Sequence, residues 1–222
     1  MPNASAWSSL VDELGSFVMS GCCAGCDALG TLLCEECDRA LVAQPVRRET
    51  PGGLPVVAAL AYEGVAARCI RRLKEDGETL LARPLGRALS AAIAHAVADD
   101  APAPLLVPVP TGRSAFRRRG YRVPELLIRR AGFQASRVLL NVRATADQRE
   151  LGIEERGRNV TGSMRGRHAR DADEALLIDD VVTTGATLDE AARALTTAGF
   201  RVCGAVTLAA TPRHSRFPGN AS

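Results

Sequence analysis

The stretch Ala175-Leu176-Leu177-Ile178-Asp179-Asp180-Val181-Val182-Thr183-Thr184-Gly185-Ala186-Thr187-Leu188 decides how the chain is read. A short apolar run of strand length (175–178) meets two adjacent carboxylates. A brief loop of hydroxyls with one glycine follows, then an amphipathic helix expected over 187–198 and closed by Gly199. A strand that is apolar on both faces belongs in a parallel sheet, whose strand ends open into the ligand crevice. The loop from Thr183 through Thr184, Gly185 and Ala186 to Thr187 sets backbone N–H groups and hydroxyls at a helix N-terminus, which suits a phosphate dianion. Gly185 lets the backbone approach that anion closely. Asp179 and Asp180 would repel phosphate, but as acceptor-only groups they suit the neighbouring hydroxyls of a sugar. A ribose 5-phosphate meets both demands. A plain helix cap needs one acid, not two and a hydroxyl loop.

Working outward, the same alternation recurs. Strands are expected at 54–62, 105–109, 138–142 and 202–208, and helices at 65–73, 79–97 (with Pro84 as start or kink) and after Pro124 within the basic stretch 113–130. Residues 143–170 are polar and charged, the least core-like part of the second half. Strand and helix in turn imply parallel pairing with right-handed crossovers, hence an open α/β sheet over 54–210. The breaker-rich segment 44–53 marks a boundary, giving a cysteine-bearing unit at 1–53 and the α/β domain at 54–222.

Composition sets the outer limits. The chain has 222 residues, 46 % apolar and 24 % charged, which excludes a disordered, collagen-like or coiled-coil protein. With 4 % aromatics the core must be aliphatic. A net charge of +3 is too mild to announce a nucleic-acid binder. Of 28 basic residues one is lysine, Lys74, leaving 27 arginines, as the codon bias of a GC-rich genome produces. The sequence carries no stretch long and apolar enough for membrane insertion and no basic leader, so a cytoplasmic location is expected.

Five of the seven cysteines fall within 22–37. Cys23-x-x-Cys26 and Cys34-x-x-Cys37 are two chelating pairs, each spanning one tight turn. Four thiolates at ~2.3 Å around one ion describe structural Zn²⁺ with no open position. Cys22 could replace Cys23, although only Cys23 gives the two-residue gap. A redox pair is the alternative, and two pairs so close together favour metal. Cys69 and Cys203 lie among apolar residues and are expected to be small core side chains.

The stretch 176–187 resembles the phosphoribosyl-pyrophosphate (PRPP) motif of type I phosphoribosyltransferases. Joined to an N-terminal Cys₄ finger, it resembles the ComF family of ComFC-like and GntX-like proteins. Further residues carry that resemblance: Tyr62-Glu63-Gly64, Arg68, Leu73-Lys74-Glu75-Asp76-Gly77, Pro108-Val109-Pro110, Arg118-Arg119-Gly120-Tyr121, and Gln148, Leu151, Arg156 and Asn159. Where the family usually has Asn-Gln after the Arg-Gly-aromatic run, this chain has Arg122-Val123.

The resemblance implies a type I phosphoribosyltransferase-like open sheet that binds PRPP with Mg²⁺ and lets an acceptor displace pyrophosphate from the ribose C1. It implies a pyrophosphate role for Lys74, and a hood containing Arg117, Arg118, Arg119, Arg143, Arg149 and Arg156, with Arg119 and Arg156 foremost. It also implies a role in DNA uptake, with single-stranded DNA and a competence helicase as partners. Thr183 stands where 6-oxopurine salvage relatives place an aspartate, which disfavours that acceptor class. His95, His168 and His214 have no visible partner, and the sequence names no catalytic base. An enzyme, a non-catalytic PRPP or nucleotide sensor, and a DNA-handling accessory protein therefore remain open.

Overall fold

The computed structural model describes residues 21–97, 102–142, 161–169 and 173–212. Its centre is a five-stranded sheet. In chain order the elements are helix α1 (Glu35–Arg39), strands β1 (Val46–Glu49) and β2 (Pro55–Ala61), helix α2 (Gly64–Arg71), a π-turn (Arg72–Asp76), a 3₁₀ turn (Thr79–Leu81) and helix α3 (Ala82–Ala96). Then come β3 (Leu105–Pro108), helices α4 (Arg113–Arg119) and α5 (Val123–Arg130), β4 (Leu139–Asn141), β5 (Met164–Gly166), β6 (Glu174–Val182), α6 (Ala186–Thr197) and β7 (Arg201–Ala210).

The strand order is β1-β2-β7-β6-β3; β2, β7, β6 and β3 pair in parallel, and β1 closes one edge antiparallel to β2. The chain is thus an α/β protein with a mostly parallel sheet, as the alternation predicts. Leu176, Ile178, Val206 and Leu208 pack with α2, α3 and α5 on one face. Ala175, Leu177 and Ala205 pack with α6 and the antiparallel β4–β5 pair on the other. Leu177, Ile178 and Leu208 are fully buried, so each adds roughly 1.5–3 kcal/mol of apolar burial.

Four expectations are corrected. Segment 44–53 is more than a linker: β1 lies within it, in register with β2 from Val46 opposite Ala58 to Glu49 opposite Pro55, and the position 53/54 falls in the turn between the two strands. The basic stretch is helical before Pro124 as well as after it, broken where Gly120 takes φ +78°. The strand near 138–142 leaves the central sheet and pairs with β5 instead. Cys69 is buried as expected, but Cys203 is exposed, because it sits at the start of β7 beside the bulge near Gly204.

Candidate functional site

Strand β6 was expected to end at Ile178. It runs on to Val182, because its ladder with β7 continues with Asp179 opposite Thr207 and Val181 opposite Ala209. Both aspartates are therefore fixed on the sheet instead of lying on a loop. The Asp180 N–H donates to Asp179 Oδ1 at 2.8 Å. Burial pushes the Asp179 carboxyl up to about 7, and the neighbouring Asp180 charge acts in the same direction; the Asp180 N–H and the Lys74 ammonium oppose it.

Lys74 reaches this pair from the π-turn, which ends at Gly77 with φ +76°. Its Nζ donates to Asp180 Oδ1 at 2.8 Å, with the two side chains only 24 % and 14 % exposed. Burial favours the neutral amine, but the Asp180 charge and hydrogen bond override it, so Lys74 stays above the ordinary lysine range and is a cation. Arg119 Nε donates to the Lys74 carbonyl, and the Tyr121 hydroxyl donates to the Leu73 carbonyl. The turn after α4 thus clamps the π-turn from outside. Arg119 serves the backbone of Lys74 through Nε, whereas Arg117 and Arg118 are exposed. Arg122 lies over the Phe116 ring, 4.4 Å from its centroid.

Gly185 takes φ +89° at the N-cap of α6, and no side chain caps the helix there. Thr183 and Thr184 are exposed, Gly185 is buried, and the Ala186 N–H makes a long contact of 3.4 Å to Thr184 Oγ1. The rear of the loop is braced by the β1–β2 turn. The Thr50 hydroxyl donates to Asp189 Oδ1, the Gly52 N–H donates to Asp189 Oδ2 at 3.0 Å, and the Leu54 N–H donates to Thr50 Oγ1 at 3.0 Å. A side chain at 185 would meet Thr50 Cγ2 at 2.8 Å. Sequence reasoning missed Thr50, Gly52 and Asp189. The one available signal was an acid in the first turn of a helix expected to face an anion, which needs partners to hold it aside.

The second site is the cysteine knuckle. The Sγ atoms of Cys23, Cys26, Cys34 and Cys37 all lie within 4.8 Å of one another. That is the donor set and spacing of a closed tetrahedral zinc centre. The N–H groups of Cys34 and Gly25 donate to Cys23 Sγ at 3.3 and 3.4 Å. Burial alone would raise the Cys23 thiol, but the backbone N–H groups of Cys34, Gly25 and Cys26 pull it down to about 6, favouring the thiolate a metal needs. Burial and the neighbouring thiols push Cys37 the other way, so one ion would be needed to hold all four deprotonated. Cys22 forms an isolated bridge with Leu29 and stays outside the cluster.

Asp179, Asp180, Lys74 and the 183–187 loop thus lie along one end of the sheet, with Arg119 behind Lys74. Arg143, Gln148, Arg149, Leu151, Arg156, Asn159 and His214 lie outside the described residues. His95 accepts from Arg47 Nε at 3.4 Å, an exposed contact between α3 and β1. Among the described residues, no helix is long and apolar enough to cross a membrane.

No family model matches the chain, and no curated protein matches it. Among solved structures it is similar to UMP synthase of Leishmania donovani, at 16 % identity and a TM-score of 0.35, over 91 % of this chain and 35 % of that one. The chain therefore spans about a third of that structure's length, and a likeness so distant identifies no activity.

Proposed function

We propose that the chain is a type I phosphoribosyltransferase-like, ComF-type protein that binds PRPP or a related ribose phosphate at the Asp179–Asp180 pair and the 183–187 loop. The observation that carries the reading is the pairing, at one sheet end, of two partly buried carboxylates, one of them held by Lys74, with an uncapped helix N-terminus that begins a few residues later. The phosphate would take the first-turn N–H groups of α6 and the Thr183, Thr184 and Thr187 hydroxyls. The ribose diol would donate to the aspartates.

In the transferase reading, an acceptor attacks ribose C1, the bond from C1 to the diphosphate oxygen breaks, and pyrophosphate leaves. Lys74 supplies positive charge for the departing diphosphate. With one N–H donated to Asp180, two others are free to turn toward ligand. Mg²⁺ would neutralise the same charge, and Asp179 and Asp180 are oxygen donors suited to it. With its proton held up to about 7, Asp179 can also donate one hydrogen bond near neutral pH. His95 accepts from Arg47, and His168 is exposed. The second reading is a sensor that uses the same site without transfer. The ComF resemblance extends the proposal to DNA uptake with a competence helicase, for which Arg113, Arg117, Arg118, Arg129 and Arg130 of the basic stretch are exposed cations.

The test is thermal stabilisation by PRPP with Mg²⁺ and by ribose 5-phosphate. Ligand at a hundredfold excess over Kd should add about 2.7 kcal/mol. The variant with Asp179→Asn and Asp180→Asn should lose that shift. Pyrophosphate release then separates transferase from sensor, and no shift with either ligand would overturn both.

A further inference from the structure

The contacts that fix Lys74 lead away from the phosphate loop to the knuckle. Arg68 and Arg72 stand one turn apart on the same face of α2 and its continuation. Arg68 donates to the Gly25 carbonyl at 2.9 Å and lies 3.6 Å from Asp27. Arg72 donates to Asp27 Oδ1 at 2.6 Å, to the Cys22 carbonyl at 3.5 Å and to Glu78 Oε1 at 3.3 Å. Except for Glu78, these acceptors belong to the loop wrapped around the first chelating pair. Asp27, just after Cys26, takes φ +63°. Gly25, between Cys23 and Cys26, packs so tightly that an added Cβ would lie 2.5 Å from Cys37 Sγ and 2.9 Å from Val65 of α2.

Arg72 is also the first residue of the π-turn, and Lys74 follows two positions later. A π-turn is a rare widening of an α-helix that persists only where its surroundings hold it. Here it is held by Arg72 on the knuckle, by the buried Leu73, and by Arg119 and Tyr121 on its carbonyls. If the loop around Cys23 and Cys26 loses its metal, Arg72 keeps only Glu78. Relaxation to an α-helix would then change the helical phase of the residues after Arg72 and carry Lys74 off Asp180.

We propose that the metal-loaded knuckle, acting through Arg72, positions Lys74 against Asp180, on the diphosphate side of the proposed ligand site. Arg72 is thus a positioning residue, and ligand binding answers to the metal state of the cysteines. The ligand half rests on the preceding functional reading; the placement of Lys74 does not.

Because Lys74 is the only lysine, an amine-acetylating reagent reports on it directly by peptide mass spectrometry. Four samples of the full-length chain are compared: zinc-loaded, chelator-stripped, zinc-loaded Arg72→Met, and zinc-loaded Arg72→Lys. Zinc content and circular dichroism are measured on each. Stripping and Arg72→Met are expected to raise the Lys74 acetylation rate about tenfold and to weaken PRPP binding about five- to tenfold, within the range of ordinary coupling energies. Arg72→Lys should recover part of both, since it keeps the charge but loses the fork that spans three acceptors. If stripping unfolds the chain, Arg72→Met decides alone. Lys74 as protected in a folded, zinc-retaining Arg72→Met variant as in the parent chain overturns the proposal. If the zinc-loaded parent binds no PRPP, the functional reading fails while the acetylation comparison still decides the coupling.

Discussion

Asp179→Asn is expected to stabilise the unliganded chain at pH 8 and to lose that advantage as the pH falls. Burial, with the Asp180 charge beside it, lifts the Asp179 carboxyl from 3.8 to about 7. At 1.36 kcal/mol per pH unit, that displacement corresponds to about 4 kcal/mol held against the charged form. The folded chain keeps a proton that the unfolded chain has released across this window, so this residue's contribution falls as pH rises from about 4 to about 7 and is flat above. The variant lacks the titration. Its new amide N–H₂ must find partners in a crowded place, at a cost of about 1–3 kcal/mol that does not vary with pH. The net gain at pH 8 is therefore about 2 kcal/mol, while the gap between the two proteins should close by about 1.4 kcal/mol for each unit between pH 7 and 5. Urea unfolding of both zinc-loaded proteins at pH 5, 6, 7 and 8 measures that gap. A gap independent of pH, or one that widens toward acid, would refute an enclosed, protonated Asp179.

Gly185→Ala should destabilise by about 1–3 kcal/mol, since it forces an L-residue to φ +89° and drives a methyl into Thr50, and it should abolish the thermal shift with ribose 5-phosphate. Chelation, or Cys26→Ser, should release one zinc per knuckle and expose the loop at 22–37 to protease before the α/β sheet unfolds; limited proteolysis followed by mass spectrometry tests that order. Lys74→Met alone should cost about 3 kcal/mol by leaving Asp180 unpaired beside Asp179, whereas Lys74→Met with Asp180→Asn should return to within about 1 kcal/mol of the parent stability yet bind no ribose phosphate. Chemical denaturation and ligand titration on the same samples check both halves.

The strand–loop–helix unit was legible because its signals are local. The apolar run at 175–178 needs no partner to read as buried, and Gly185 before an amphipathic stretch marks where a helix can begin. The cysteine spacing was legible for the same reason. What the sequence hid depends on distant partners. Val46–Glu49 is exposed along most of its length and lacks the apolar alternation that reveals a strand; only its pairing with β2 makes it one. Asp179 and Asp180 are poor strand residues by propensity, and the β7 ladder overrides that preference. The bond from Lys74 to Asp180 spans 106 positions, so no local pattern could announce it. The π-turn is equally silent, because its sequence fits an ordinary helix end.

The Lys74–Asp180 pair is a poor device for stability alone. Withdrawing both groups from water costs several kcal/mol per ion before their attraction is counted, and well-packed apolar residues in such a place are often as stable or more so. Placing Asp179 alongside makes the arrangement worse, since burial, with the Asp180 charge beside it, raises its carboxyl to about 7. The rest of the sheet shows that the fold does not require this chemistry: the positions just before it, Leu176 to Ile178, are filled with aliphatic side chains and fully packed. Charge concentrated at one strand end, next to an uncapped helix and a loop braced from behind by Thr50 and Asp189, is what a phosphorylated sugar needs and what an empty core does not. The physical cost of the cluster is thus itself an argument for a ligand, independent of any resemblance.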